Sequence, residues 1–167
     1  MTATGIPPLR ARPRIFNTAF ESGLRSLVLL TACYPGKLNL RRLVVLDYLL
    51  VHTEDIGGPE SLHPQEESRS AALLVRRKLV DTGLSLMGTR RLILRHATAD
   101  GFRYEAGEEA GSFVDLLRDP YTARLKARAG WLNDNIVPMD DDEIDSLVRL
   151  RIDWWSAEFQ SDQGVTG

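Results

Sequence analysis

Residues 40–51, LRRLVVLDYLLV, run into HTEDIGGPESLHP at 52–64, and the reading of this junction decides the fold. The first segment is apolar and leucine-rich, which predicts a buried helix. The second is rich in Gly and Pro and reads as a connection. A second, arginine-bearing helix is predicted from near Ser68 in SRSAALLVRRKLVDTGLSLM. RRLILRHATADGFRYEA, 90–106, then reads as two short strands around Ala99-Asp100-Gly101, an Asp-Gly hairpin signal. Helix, loop, helix and tight basic hairpin is the order of a winged helix-turn-helix. The expected class is mainly α with a small β-hairpin wing and additional C-terminal helices.

The flanks fit this frame. Residues 1–15 carry three prolines and no periodicity, and are expected to be a flexible lead-in. Asn17-Thr18 supplies a cap for a helix to about Ala32, with Glu21 in its first turn and Phe20, Leu24, Leu27, Val28 and Thr31 at helical spacing. Asn39 is positioned to cap the next helix, where Arg41 and Arg42 oppose the helix dipole and so imply a role other than helix stability. After the wing, YEAGEEAGSFVDLL predicts a strand leaving into a helix that docks Phe113, Leu116 and Leu117 on the core. Pro120 suits a first helical position, and Leu125, Ala129, Leu132 and Ile136 share a face with Tyr121, with Trp131 expected in the core. Asp140 to Glu143 make an acidic start for a last helix bearing Ile144, Leu147, Val148, Ile152, Trp155 and Phe159. The expected organisation is a winged-helix-like domain over 16–118, a helical arm over 119–160 and a disordered tail over 161–167.

Composition excludes several classes. The chain has 167 residues, 43% hydrophobic and 26% charged, with a net charge of −2, as expected of one soluble globular unit. Cys33 is the sole cysteine, which rules out a disulfide framework and a thiolate metal cluster. No segment has the ~18 apolar residues of a membrane span, and no signal peptide is evident, so a cytoplasmic location is expected.

Charge is unevenly distributed. Arg69 to Arg95 contains seven Arg or Lys against one acid, while Met139 to Gln163 contains eight acids against two arginines. A basic middle and an acidic end imply two partner surfaces. Arg69, Arg76, Arg77, Arg90, Arg91 and Arg95 are the candidate phosphate contacts, with Arg69 and Arg76 two turns apart and able to share a face. The helix start offers only Ser68, Arg69 and Ser70 for base readout, so contact with backbone phosphate is the stronger expectation. His52, Glu54, Asp55 and His63 are metal-ligand types, but none is at compact helical ligand spacing and turn chemistry accounts for the loop; no metal and no cofactor are expected. His52, Gly57, Gly58, Pro59 and His63 are instead expected to contact a partner, as are Trp154, Trp155 and Phe159 on the last helix. No nucleophile motif, phosphate loop, dinucleotide fingerprint or zinc-protease motif occurs, so no catalytic residues are assigned and an enzyme is not expected.

NTAFESGLRSLVLLTACYPGKLNLRRLVVLDYLLVHTEDIGGPESLHP, LLVRRKLVDTGLSLM and GFRYEAGEEAGSFVDLLRDPYTARLKARAGWL together resemble the middle component of ABC-three-component systems. The likeness spans about residues 16–136, and YLLVHTEDIGGPESLHP is its most specific part. It implies a non-catalytic adaptor in a bacterial anti-phage defence complex of the Lamassu type. It further implies an SMC/Rad50-like ABC ATPase and an effector nuclease as partners, with double-stranded DNA reached through the complex, and it supplies no catalytic residues. The alternative reading is a winged-helix transcriptional regulator of the MarR or PadR style, a DNA-binding homodimer, to whose strand-to-helix exit YEAGEEAGSFVDLL is similar.

Overall fold

Helix α2 (Leu40–Val51) is apolar on nearly every side, and the rest of the chain is arranged around it. The computed structural model describes residues 18–64 and 70–151. Every α2 residue from Leu43 to Val51 is buried, because α1 (Ala19–Ala32), α3 (Ser70–Thr89) and α5 (Pro120–Asn135) all pack against it. A helix with no polar face needs such cladding. The core is one continuous cluster from Leu27 on α1 to Val148 on the last helix, α6 (Asp141–Arg151).

The local starts follow the sequence. Thr18 and Glu21 form a reciprocal capping box at α1, Asn39 accepts from Arg42 N at α2, and Asp119 caps α5 with Pro120 at its first turn. Strand β1 (Leu38–Asn39) lies against β3 (Gly101–Ala106), which pairs on its other side with β2 (Ile93–Thr98), all antiparallel. The order α1-β1-α2-α3-β2-β3 is that of a winged helix, with β2 and β3 as the wing. The hairpin register pairs Thr98 with Gly101, leaving Ala99 and Asp100 as the loop, and Gly101 takes a φ of 106°. The glycine thus closes the turn from the first strand position, where an L side chain would be strained.

Helices α1 and α3 cross with their backbones in contact at Gly23 and Gly83. A Cβ on Gly83 would stand 2.5 Å from Gly23 N and 2.6 Å from Ala19 O. The helix after the wing, α4 (Ala110–Leu116), buries Ala110 and Val114, with Phe113 half-buried. Leu116 does not dock as expected: it is 75% exposed. The positions that face inward on this short helix are 110 and 114, one turn apart, and Leu116 lies away from them.

Arg41 and Arg42 have the separate role that their unfavourable position predicted. Arg41 Nη2 is 2.7 Å from Asp145, and Arg42 is 3.1 Å from Asp141 while donating to the carbonyls of Val137 and Met139. They tie the start of α6 to α2, and Ile144 and Val148 of α6 are buried in the core. Part of the acidic run is therefore answered within the chain.

Candidate functional site

The loop after α2 is held along one face of α5. Thr53–Ile56 form a single tight helical turn, ended by Gly57 in the left-handed region at φ 77°. Gly58 follows with its Cα against the ring of Trp131, and a Cβ there would stand 2.8 Å from Cη2. Further along, Arg128 Nε donates to Glu60 O at 3.0 Å, and His63 Nε2 lies 2.6 Å from the Tyr121 hydroxyl. Tyr121, Arg128 and Trp131 are seven and three residues apart, one stripe of a helix. The glycine-rich character of the loop thus has a cause inside the chain: α5 shapes it. Trp131, expected as core, is half-buried between the core and this loop.

Beneath the loop lies a buried ionic cluster. Arg25 Nε is 2.7 Å from Asp47 Oδ1, and Arg25 Nη2 donates to Asp47 Oδ2 at 3.2 Å and to Ser22 Oγ at 3.0 Å. Arg76 Nη1 is 2.6 Å from Asp47 Oδ2, with its guanidinium 5.4 Å from the Tyr48 ring centroid. Tyr48 donates to Asp55 at 2.6 Å. Asp47 is fully buried. It joins α1, α2 and α3 at one carboxylate. Burial works to lower the Arg25 pKa, but the charge and hydrogen bonds of Asp47, together with Tyr121 and Glu21, outweigh it and the net change is upward.

This geometry corrects two expectations. Arg76 is 5% exposed and turns inward to Asp47, so it does not share an outward face and is not placed to meet phosphate. His52 is 1% exposed, with its ring 4.5 Å from that of Tyr48, so it is a core residue rather than a contact for a partner. The sequence signal for this cluster is Asp47, the one acid in the apolar run from Leu43 to Val51, which demands a buried cationic partner.

Burial, first, and then the charges of Arg25, His52 and Arg76 hold the His63 imidazole down at about 4, against an ordinary 6.5. Folding therefore disfavours its protonation. The stability it contributes is complete above about pH 6.5 and is lost as pH falls through the window down to about 4. The melting temperature should fall across that window, and His63→Gln should flatten the slope. An equal slope in both proteins would show that His63 is not the titrating group.

The remaining candidates divide by exposure. Arg77, Arg90, Arg91 and Arg95 are exposed, as is Lys78. Arg91 sits in the left-handed region at φ 56° in the α3–β2 turn, and the Arg95 guanidinium lies 4.4 Å from the Phe102 ring centroid on the wing. Gly57 is exposed, and Gly58, Pro59 and His63 are half-buried. Arg69, Trp154, Trp155 and Phe159 lie outside the described residues. Among the described residues, no group of three or more His, Cys, Asp or Glu side chains is arranged to hold a metal ion. Burial pushes the half-buried Cys33 thiol upward, away from the thiolate a nucleophile requires. No helix among the described residues is long and apolar enough to cross a membrane.

A family model described as ABC-three component (ABC-3C) system Middle Component 2 matches residues 15–158. The match carries the likeness past residue 136, where the sequence reading ended it, and takes in α6 together with Trp154 and Trp155. No curated protein and no solved structure matches the chain.

Proposed function

This chain belongs to the Middle Component 2 family of ABC-three component systems, and from that premise we propose that it is a non-catalytic adaptor. In this reading it links an SMC/Rad50-like ABC ATPase to a nuclease-type effector and controls the effector's activation. The assembly is a cytoplasmic anti-phage defence complex of the Lamassu type, in which double-stranded DNA is met by the complex as a whole. The observation that carries the reading is the extent of the family match, which includes every described element from α1 to α6. A component of a multi-subunit ABC system has protein partners by definition. The buried ion pairs also fit a structural role, because Arg25 and Arg76 both engage the Asp47 carboxylate.

One partner surface is assigned to the α5-braced loop, at the exposed Gly57 and the half-buried Pro59, and to Trp154, Trp155 and Phe159. A loop held rigid by α5 is ordered before it binds, which lowers the entropic cost of association. The test is co-expression with the ATPase encoded beside it, followed by size-exclusion chromatography. Wild-type chain and ATPase should elute together at micromolar concentration, and Trp154→Ala or Trp155→Ala should weaken the complex by ~2 kcal/mol without loss of folding. Separate elution of the wild-type proteins would sink the adaptor reading. Tryptophan variants that unfold in proportion to their loss of binding would make these side chains part of the core instead.

A further inference from the structure

Strand β2 is an edge of the sheet, because the strand order is β1-β3-β2. The bond from Gly107 N to Leu92 O, 2.8 Å long, fixes which of its residues face outward. It makes Leu92 and Gly107 a hydrogen-bonded pair, and such pairs alternate with non-hydrogen-bonded ones along an antiparallel ladder. The register runs without a bulge from Ile93 opposite Ala106 to Thr98 opposite Gly101, so Leu94, His96 and Thr98 bond to β3. Ile93, Arg95 and Ala97 turn their N–H and C=O the other way, to the side on which no further strand lies among the described residues. Ile93 is buried at the end of α3, its carbonyl oxygen 3.8 Å from where a Cβ on Gly88 would stand. Arg95 and Ala97 are exposed and form the open part of the edge.

The side chains at this open part leave a ring uncovered. Arg95 and Ala97 stand opposite Tyr104 and Phe102, so all four share the face of the sheet that buries Ile93, Tyr104 and Ala106 at its base. Toward the tip that face is no longer covered by the core, and Phe102 is 50% exposed. The Arg95 guanidinium lies 4.4 Å from its ring centroid. Ala97, between Phe102 and the open edge, has only a methyl group and cannot cover the ring.

We propose that the open edge of β2 receives an extended segment of another subunit, which adds a strand to the sheet and carries an acid and a large apolar residue two positions apart. This deepens the adaptor reading and rests on it, by supplying the second of the two surfaces an adaptor needs. An added strand meets the outward N–H and C=O groups with its own, as extended peptides do at sheet edges. Its side chain beside Ala97 reaches over the methyl group to the Phe102 ring. Its side chain beside Arg95 meets the guanidinium, where the opposite charge is favoured. The same arginine excludes a second copy of this strand, because β2 contains no acid and a charge on the inner face blocks pairing with its like. Backbone recognition also selects protein over a duplex. The outward carbonyls of Arg95 and Ala97 are acceptors, and phosphate offers them no donor.

The test uses the full chain co-expressed with the other components of its system, with a fluorescent DNA duplex as a separate probe. Amide hydrogen exchange, read residue by residue, should find Arg95 and Ala97 fast in the isolated chain and Leu94 and His96 slow. Assembly should slow Arg95 and Ala97 by about tenfold or more. Ala97→Pro removes only an outward N–H, a position at which an edge strand tolerates proline. It should keep the wild-type melting temperature and raise the Kd of assembly by about tenfold or more. Arg95→Glu should weaken assembly in a salt-dependent way. If Ala97→Pro melts early, the exchange comparison decides alone. If the wild-type chain assembles while both amides stay fast, the edge is wrong and the adaptor reading stands. If the wild-type chain assembles with nothing, the adaptor reading falls and this edge with it. Amides already slow in the isolated chain would mean that the chain itself or a second copy covers the edge, and would overturn the proposal. Slowing of the same amides by the duplex, with none on assembly, would make the edge a nucleic-acid surface and overturn it equally.

Discussion

Replacing Asp47 with Ala is expected to destabilise the fold by ~3–5 kcal/mol, because it leaves the buried arginines without their shared carboxylate. Arg25 is 3% exposed and Arg76 5%, so solvent cannot take over the role of Asp47 without local opening. The three residues come from α1, α2 and α3, and opening any one of them disrupts the packing of the other two. For a chain of this size the loss corresponds to a fall in melting temperature of roughly 10 °C. Asp47→Asn retains shape and some hydrogen bonding but loses the charge, and should fall between the two. A triple replacement, Arg25→Met with Asp47→Leu and Arg76→Met, should recover much of the loss, since removing a whole buried ionic group is often neutral or better. Denaturant titration of the four proteins checks this. A cost below ~1 kcal/mol for Asp47→Ala would mean that the cluster is hydrated and does not organise the core.

The legible part of this fold was the part carried by local rules. Thr18 with Glu21, Asn39 and Asp119-Pro120 announce helix starts because a cap is a short-range hydrogen bond. The hairpin was visible for the same reason, though Gly101 lies after the two-residue loop and not within it. Long-range pairings were less accessible. Arg76 is one of three consecutive cations in the sequence, and nothing local distinguishes it from Arg77 or Lys78. Only the helical phase of α3 against α1 and α2 selects it for burial. His52 reads as the first residue of a turn-rich loop, yet it caps the end of the buried helix α2. The glycines at 57 and 58 read as a loop shaped by a partner, whereas Gly58 lies against Trp131, more than seventy positions away in sequence.

The same distinction bears on the candidate surfaces. Charge counting along the sequence separates a basic middle from an acidic end. The structure then spends Arg41 and Arg42 on Asp145 and Asp141, and Arg76 on Asp47. Of the basic middle, Arg77, Lys78, Arg90, Arg91 and Arg95 stay exposed. The sequence reading reached the scaffold. Which cations face outward depended on tertiary packing.

Gly83→Ala should destabilise the fold by ~2 kcal/mol or more, against the usual direction for this substitution inside a helix. Helix propensity alone favours Ala over Gly by ~1 kcal/mol. At Gly83 the new methyl would meet Gly23 N at 2.5 Å and Ala19 O at 2.6 Å. Both are backbone atoms and cannot rotate away, so α1 must be pushed off α3, and overpacking of this kind costs ~1–3 kcal/mol or more. The displacement would propagate, because Arg25 lies one residue pair beyond the crossing and must keep its 2.7 Å approach to Asp47. Gly130→Ala supplies the control: it lies within α5, and a Cβ there meets nothing within 4 Å. That variant should be unchanged or more stable by up to ~1 kcal/mol. Melting curves of the two single variants separate sterics from propensity. Equal effects of the same sign would show that α1 and α3 do not cross in backbone contact, whereas opposite signs would fix the crossing at Gly23 and Gly83.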